Sequence, residues 1–355
     1  MIDPLNIKIT GTGSYIPSQI QKNSDFLNHS FLTNDGLSFD VENAEIIEKF
    51  SSITGIKERR YATKDQNSSD LAANAATKAI ADSKIDQETL DYIIVAHNFG
   101  DTPFGSKQSN SLPSVASKVK AALGIKNPKC VAYDILFGCP GWIEGVIQAK
   151  AFIKAGMAKK CLVIGTETLS RVVDTNDRDS MIFADGAGAT IIQDSENSGG
   201  IMAHKSVTFT DNNEVDILFF GDSYETNNSD QFIKMHGRKV YEFALSRVPD
   251  AMKACLDQSG TQIQDLKKIF IHQANEKMDE AIVKRFYRLY KEKVPTDVLP
   301  MNIETHGNSS VATIPTLFDQ VLKGQKEGHE LSKGDVVLFA SVGAGMNINA
   351  ITYQI

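Results

Sequence analysis

The sequence predicts an α/β protein made from two copies of one helix-and-strand unit, and three observations carry that prediction. Residues 75–98 (AATKAIADSKIDQETLDYIIVAHN) and 248–275 (VPDAMKACLDQSGTQIQDLKKIFIHQAN) each read as a helix, a short acidic linker and an apolar strand ending at a histidine. In that register His97 and His272 are equivalent. Residues 137–156 then parallel 306–324, which sets Asn308 opposite Cys139, and CLVIGTE parallels residues 336–345. Finally, Tyr92–His97 is an almost continuous apolar run, the pattern of a parallel strand covered on both faces. Two such units related by a pseudo-two-fold axis bring their strand-to-helix turns together. Cys139, His272 and Asn308 can then converge although they lie far apart in the chain.

In chain order, residues 6–13 read as a short strand that ends in glycine-rich turn chemistry. Residues 21–44 are polar and irregular, and read as an insertion or a mobile flap. A helix follows around Glu45–Ser51. Ser68–Ser69–Asp70 offers an N-cap for a long helix through Ala81. Pro113–Leu123 is a further helix. The stretch Tyr133–Gln193 organises the chain as strand, sharp turn, helix, strand, loop and strand. Ile135, Leu136 and Phe137 precede Cys139, while Ile143, Val146, Ile147, Ala149 and Phe152 follow it at helical spacing. Cys139 is therefore expected at or just before a helix N-terminus. Free backbone N–H groups and the helix dipole stabilise an anion there and lower a thiol's pKa toward thiolate. The competing reading is a small buried hydrophobe. Residues 194–200 (DSENSGG) mark a boundary between halves 1–197 and 198–355, and 210–230 reads as a surface loop.

A chain of 355 residues with 41% hydrophobic content makes one large or two ordinary domains with a sizeable core. A formal net charge of -7 argues against nucleic-acid binding by bulk charge. The four cysteines, at 130, 139, 161 and 255, form no CxxC pair and no metal-ligand spacing. The start, MIDPLNIKITGTGSYIP, lacks a basic region followed by an apolar run, and no apolar stretch approaches the roughly 20 residues that span a bilayer. A reduced, soluble, cytoplasmic protein without a signal peptide or membrane span is expected.

The motifs GTGSYIP (11–17), TGIKERR (54–60), the Cys139 turn, DRDSMIFADGAGA (177–189), HQAN (272–275), GNSSVATIP (307–315) and GAGMNINA (343–350) together resemble the β-ketoacyl-acyl carrier protein synthase III family of thiolase-fold condensing enzymes. The resemblance covers nearly the whole chain. It implies a five-layer α-β-α-β-α core, a homodimer, and acyl-CoA or acyl carrier protein thioesters as substrates without a cofactor. It also implies a triad of Cys139, His272 and Asn308. Cys139 takes the acyl group. His272 and Asn308 hold the extender carbonyl, typically malonyl, and stabilise the enolate as CO₂ leaves. The backbone N–H groups of Cys139 and Ala344 are the implied oxyanion hole. Arg178 matches a contact to the coenzyme A head group, and Met235 and Arg238 match the mouth of the pantetheine channel. Leu112 matches a residue that the partner subunit inserts into the acyl pocket. Trp142 stands where the family has phenylalanine beside the acyl tunnel, with core packing as the alternative. Lys277, Lys284 and Arg285 fall at carrier-protein docking positions, within a segment (277–293) that has six basic residues against three acidic ones.

Departures bear on substrate. The family's tryptophan and arginine that clamp adenine correspond here to Lys49 and Ile53, and the 24–44 segment is longer than usual. These changes favour carrier-bound or longer acyl chains, as in ketosynthases that make cyclohexanedione or dialkylresorcinol precursors. Alternatives on the same fold are an acyltransferase that forms no C–C bond, a thiolase, or a hydroxymethylglutaryl-type synthase. The last needs a glutamate base, for which Glu144 and Glu167 are available outside any matching motif. A non-catalytic scaffold would ordinarily lack the nucleophile.

Overall fold

The computed structural model describes residues 6–106, 108–195 and 198–355. The start of the leader reading (residues 1–5) and the boundary residues 196 and 197 lie outside them. The strands are β1 (Asn6–Tyr15), β2 (Gln19–Lys22), β3 (Glu58–Tyr61), β4 (Tyr92–His97), β5 (Val131–Leu136), β6 (Lys160–Thr168), β7 (Asp185–Ser195), β8 (Gly200–Thr208), β9 (Leu218–Asp222), β10 (Gln231–Met235), β11 (Leu266–Ile271), β12 (Val336–Gly343) and β13 (Asn347–Gln354). The helices are α1 (Asn43–Thr54), α2 (Ser68–Ser83), α3 (Val115–Ala122), α4 (Gly141–Lys154), α5 (Gly237–Ser259), α6 (Glu276–Leu289), α7 (Ile303–His306) and α8 (Thr313–Leu322).

The duplication is visible in strand pairing. One sheet has the order β1-β7-β6-β4-β5 and the other β11-β12-β13-β8. In the first, β4 and β6 are parallel and β6–β7–β1 antiparallel. In the second, β11 and β12 are parallel and β12–β13–β8 antiparallel.

Successive strand residues point to opposite faces, so a strand covered on both sides is apolar throughout. Ile93, Val95, Leu162 and Ile164 pack on Leu71, Ala75, Ala79, Val115 and Val119 of α2 and α3. Their neighbours Ile94, Cys161 and Val163 face the other way, into a core with α4 and α8. Phe270, Val337 and Phe339 of the second sheet close that core from its far side. Ile269, Ile271 and Leu338 pack outward on α5 and α6. The layers are therefore α2/α3, sheet, α4/α8, sheet and α5/α6, the five-layer thiolase arrangement.

Three local expectations change. The N-cap of α2 is Asn67, one residue before the predicted serines, and the Asp70 carboxylate accepts its N–H at 2.8 Å. The serines are engaged elsewhere: Ser68 pairs with Thr168 at 2.9 Å, and Ser69 donates to Asp101 at 2.8 Å. The 21–44 segment is not a free flap. Phe26 and Phe31 are buried with Ile46, Ile47 and Met181, and the fully buried Arg59 guanidinium stacks 4.9 Å from the Phe26 ring. Nor is 210–230 simply a surface loop, because β9 and β10 pair as a hairpin. Lys234 of that hairpin is buried and bonds Asp174 at 2.7 Å and Asp177 at 3.1 Å, which ties the hairpin to the loop before β7. Ion pairing and hydrogen bonds are what make such a buried ammonium tolerable.

Candidate active site

Cys139 lies in the turn between β5 and α4, two residues before the helix. Gly138 makes the turn with φ of 70°, a region costly for side chains. The turn after β12 packs directly on it. A Cβ at Gly138 would lie 3.1 Å from the Ala344 nitrogen, and one at Gly343 would lie 2.6 Å from the Cys139 nitrogen. The backbones of Cys139 and Ala344 are thus neighbours across the pseudo-two-fold axis.

His272 directly follows β11, and its backbone N–H donates to the Ala340 carbonyl at 2.9 Å. Asn308 is held against the loop before β7: its N–H donates to the Ile182 carbonyl at 2.9 Å, and its carbonyl accepts from Ala184 at 2.8 Å. Its side-chain Oδ1 accepts the Ser310 N–H at 2.7 Å, which leaves the amide NH₂ as a donor. That bond helps hold Ser310 at φ of 51°, in the left-handed region. Such a conformation costs a non-glycine residue about 1–2 kcal/mol.

Cys139, His272, Asn308 and Ala344 line one cavity of about 250 Å³. Phe99, Leu169, Phe219, Phe220 and Ile233 make the rest of its wall largely apolar. Met235 lines both this cavity and an outer one of about 460 Å³, whose wall includes Phe39, Lys49, Ile53 and Arg178. Ile182 and Met235 are shared by the two walls; the inner cavity holds Cys139, His272 and Asn308, and the outer one, which also carries Glu45, Asp179 and Asn275, adjoins it as a mouth.

Burial pushes the Cys139 thiol up to about 11, and the nearby Glu167 carboxyl acts in the same direction. The Ser310 hydroxyl, 3.3 Å from Sγ, acts oppositely. The expected lowering by the helix N-terminus is therefore outweighed by desolvation. Burial also pushes His272 down to about 4, so the imidazole is neutral at neutral pH. Its buried Nδ1 has no hydrogen-bond partner among the described residues.

Several predicted positions lie elsewhere. Trp142 is core, not tunnel wall: it is 1% exposed, meets Phe339 edge-on at 5.6 Å, and donates its Nε1–H to Thr190 at 3.2 Å. An indole this large fills the middle layer with its polar atom satisfied. Arg238 turns to solvent and pairs with Glu242 at 2.8 Å, leaving Gly237 at the mouth. Arg178 is at the mouth, and the Phe39 ring lies 5.1 Å from its guanidinium. Phe39 is thus an aromatic group beside Arg178 outside the two clamp positions, Lys49 and Ile53. Leu112 is 88% exposed. Lys277, Lys284 and Arg285 are exposed on α6, whose N-cap Asn275 lines the mouth. Glu144 lies away from the cavity and accepts from Asn349 at 2.7 Å. Sequence reading missed Asn98, Phe99, Phe219, Phe220 and Ser310. The apolar run Ile217–Phe220, inside a polar stretch, was the available signal for the two phenylalanines.

Known proteins resemble the chain over nearly its whole length. Residues 133–211 match the family model described as 3-oxoacyl-[acyl-carrier-protein (ACP)] synthase III, and 256–355 match its C-terminal counterpart. The chain is 35% identical to the β-ketoacyl-[acyl-carrier-protein] synthase III of Clostridium acetobutylicum, over 96% of each protein. It is 33% identical to synthase III 1 of Vibrio vulnificus, over 95% of this chain and 96% of that one. The crystal structure of the Aquifex aeolicus 3-oxoacyl-[acyl-carrier-protein] synthase III superposes with a TM-score of 0.80 at 29% identity, covering 98% of this chain and 100% of that one. The chain belongs to the 3-oxoacyl-[acyl-carrier-protein] synthase III family of condensing acyltransferases.

Proposed function

We propose that Cys139 is the acyl-accepting nucleophile, and that His272 and Asn308 drive condensation with a malonyl or β-ketoacyl thioester. The observation that carries this reading is the convergence of all three residues on one largely apolar cavity. In the first half-reaction the Cys139 sulfur attacks the thioester carbonyl, the carrier C–S bond breaks, and the carrier thiol leaves with the proton. The acyl thioester on Cys139 keeps its activation. In the second, the malonyl C–CO₂ bond breaks and its electron pair becomes an enolate, held by the His272 ring N–H and the Asn308 amide. The enolate carbon attacks the acyl-Cys139 carbonyl. The resulting oxyanion lies by the N–H groups of Cys139 and Ala344, and the cysteine thiolate leaves. The apolar walls suit an acyl chain and exclude water.

The two halves, 1–197 with the nucleophile and 198–355 with His272 and Asn308, act as one site. A homodimer is supported by the open edge of β5 and by exposed Leu112 and Leu136, 88% and 71% accessible. No helix among the described residues is long and apolar enough to cross a membrane. We place the reaction in the cytoplasm.

The donor is an acyl carrier protein rather than coenzyme A. Lys49 offers a nucleotide a point charge but no π face, and Ile53 offers neither charge nor planarity. Phe39 already covers one side of Arg178. An adenine held between an aromatic ring and an arginine gains roughly 1–3 kcal/mol, and Lys49 and Ile53 cannot supply that pair. A carrier inserts only its phosphopantetheine arm. The same acyl chain should therefore show a higher kcat/KM on the carrier than on coenzyme A. Equal values, or a preference for the coenzyme A ester, would show that Phe39 and Arg178 have rebuilt the clamp.

Lys277, Lys284 and Arg285 form the carrier's landing face beside the mouth. Carrier proteins are acidic, and complementary charge speeds encounter. Reversing Lys284 and Arg285 to Glu should raise the KM for carrier-bound substrate severalfold, and added salt should weaken the wild type in the same direction. An unchanged KM in both experiments would return the face to ordinary solvated surface.

A further inference from the structure

Behind Cys139 lies a chain of polar groups that the condensation steps above do not use. Glu167, at the end of the apolar strand β6, is 1% exposed. Its Oε1 accepts the Asn98 backbone N–H at 2.9 Å and also the Asn98 side-chain amide. The same amide nitrogen lies 3.0 Å from Ser310 Oγ, and Ser310 Oγ lies 3.3 Å from Cys139 Sγ. Gly165, two residues before Glu167, permits this approach: a Cβ there would collide with the Val311 carbonyl.

The directions of these bonds follow from what each group can donate. The Glu167 oxygen that meets Asn98 receives two N–H groups and acts as an acceptor, so Asn98 must present its NH₂ and not its carbonyl oxygen. An NH₂ has two hydrogens. One goes to Glu167, and the other goes to Ser310 Oγ, which therefore accepts. The hydroxyl then has its single proton left, and the neighbour it meets on the other side is the Cys139 sulfur.

We propose that Glu167, through Asn98, sets the Ser310 hydroxyl as a hydrogen-bond donor to Cys139 and so favours the thiolate. Glu167 and Asn98 are positioning residues, and Ser310 touches the reacting sulfur. The inference rests on reading Cys139 as the nucleophile. A donor to sulfur stabilises the charged form, which a buried thiol otherwise resists. Other titratable groups nearby are His272, neutral because of its burial, and Asp185, whose charge opposes ionisation of Glu167. Burial pushes Glu167 itself up to about 8, so at neutral pH it remains largely a neutral acceptor.

Direct charge and relay make opposite predictions. A Glu167 carboxylate repels a thiolate, so if charge were its whole influence, Glu167→Leu would ease ionisation of Cys139. If the relay operates, the same substitution frees Asn98 to rotate, the Ser310 proton is no longer aimed, and ionisation becomes harder.

The experiment is alkylation of the full-length protein by iodoacetamide, with modification at Cys139 read by peptide mass spectrometry. Rates are followed upward in pH until they level off. General disturbance changes the plateau, while the relay moves the midpoint. Ser310→Ala, Asn98→Leu and Glu167→Leu should each raise the midpoint by about one pH unit, the size of one hydrogen bond to a charged group. Glu167→Gln keeps an acceptor and should hold the midpoint at or below the wild-type value. Combining Ser310→Ala with Glu167→Leu should go no further than either alone. An unchanged or lowered midpoint in Glu167→Leu overturns the relay, as does a Gln variant displaced upward as far as Leu. If Glu167→Leu does not fold, Asn98→Leu makes the same cut nearer the sulfur, and an unchanged midpoint there overturns it equally. Alkylation needs no acyl thioester. Displaced midpoints in a protein that takes no acyl adduct would retain the relay and refute the nucleophile, whereas normal acylation with unmoved midpoints would do the reverse.

Discussion

His272→Ala and Asn308→Ala are each expected to slow malonyl decarboxylation by on the order of 100-fold or more, while Cys139 still takes up an acyl group. Both side chains line the cavity beside Cys139. In the proposed mechanism each donates toward negative charge that develops only as CO₂ leaves. The Asn308 amide is oriented by the Ser310 N–H on its Oδ1 at 2.7 Å. Asn308→Asp would be no substitute, because it brings a second negative charge to the enolate. In the proposed mechanism His272 donates as a neutral imidazole. Burial depresses its pKa from 6.5 to about 4, so lowering the pH from 8 to 5 leaves the ring unprotonated. Decarboxylation should therefore show no acid limb centred near 6.5. The linked effect on stability has a definite sign. The unfolded imidazole binds a proton below about 6.5 and the folded one does not until about 4, so the group's contribution is lost as pH falls through that window. Release of labelled CO₂ from a malonyl thioester, measured beside acyl-adduct formation, separates the two half-reactions. If either variant failed to acylate yet decarboxylated normally, the assigned roles would be reversed.

What could be read in the chain beforehand depended on how local the cause was. The repeat was legible because each unit carries its own helix and strand periodicity, and the observed sheets pair in matching order. The turn at Cys139 was legible because the apolar run before it and the helical spacing after it are local. Trp142 was not, since its face of α4 is decided by Phe339 and Thr190, distant in sequence. The 21–44 segment looked loose because its aromatic residues, Phe26, Phe31 and Phe39, are scattered without period. They are ordered by α1 and Met181, which sequence spacing does not reveal. The acidity of Cys139 depends on opposed influences, of which two show the contrast between sequence and structure. The helix N-terminus is visible in sequence, but the burial that outweighs it exists only once both sheets have closed over the turn. Glu167 presented a similar difficulty. A carboxylate in the strand CLVIGTE reads as a candidate base, and only the Asn98 and Ser310 contacts place it behind the nucleophile.

Replacing Cys139 by alanine is expected to remove acyl uptake and condensation altogether, because Cys139 is the only cysteine among the described residues that line the cavity. Cys130, Cys161 and Cys255 are buried away from it, at 2%, 0% and 0% exposure, so Cys130→Ala and Cys161→Ala should keep most activity. Burial, with Glu167 acting in the same direction, holds the thiol at about 11 even against the Ser310 hydroxyl, so further activation at neutral pH has to come with the bound substrate. In the proposed mechanism substrate binding contributes by bringing the thioester carbonyl to the Cys139 and Ala344 N–H groups, which would stabilise the oxyanion formed by attack. The most direct measurement is a two-step intact-mass experiment on the wild-type protein. The enzyme is loaded with an acyl thioester, freed of excess donor, mapped by peptide mass spectrometry, and then given a malonyl thioester. The predicted result is one acyl adduct on Cys139 that disappears as CO₂ and a β-ketoacyl thioester appear in equal amounts. An adduct on another residue, an adduct on Cys139→Ala, or discharge of the acyl group only as free acid would contradict it.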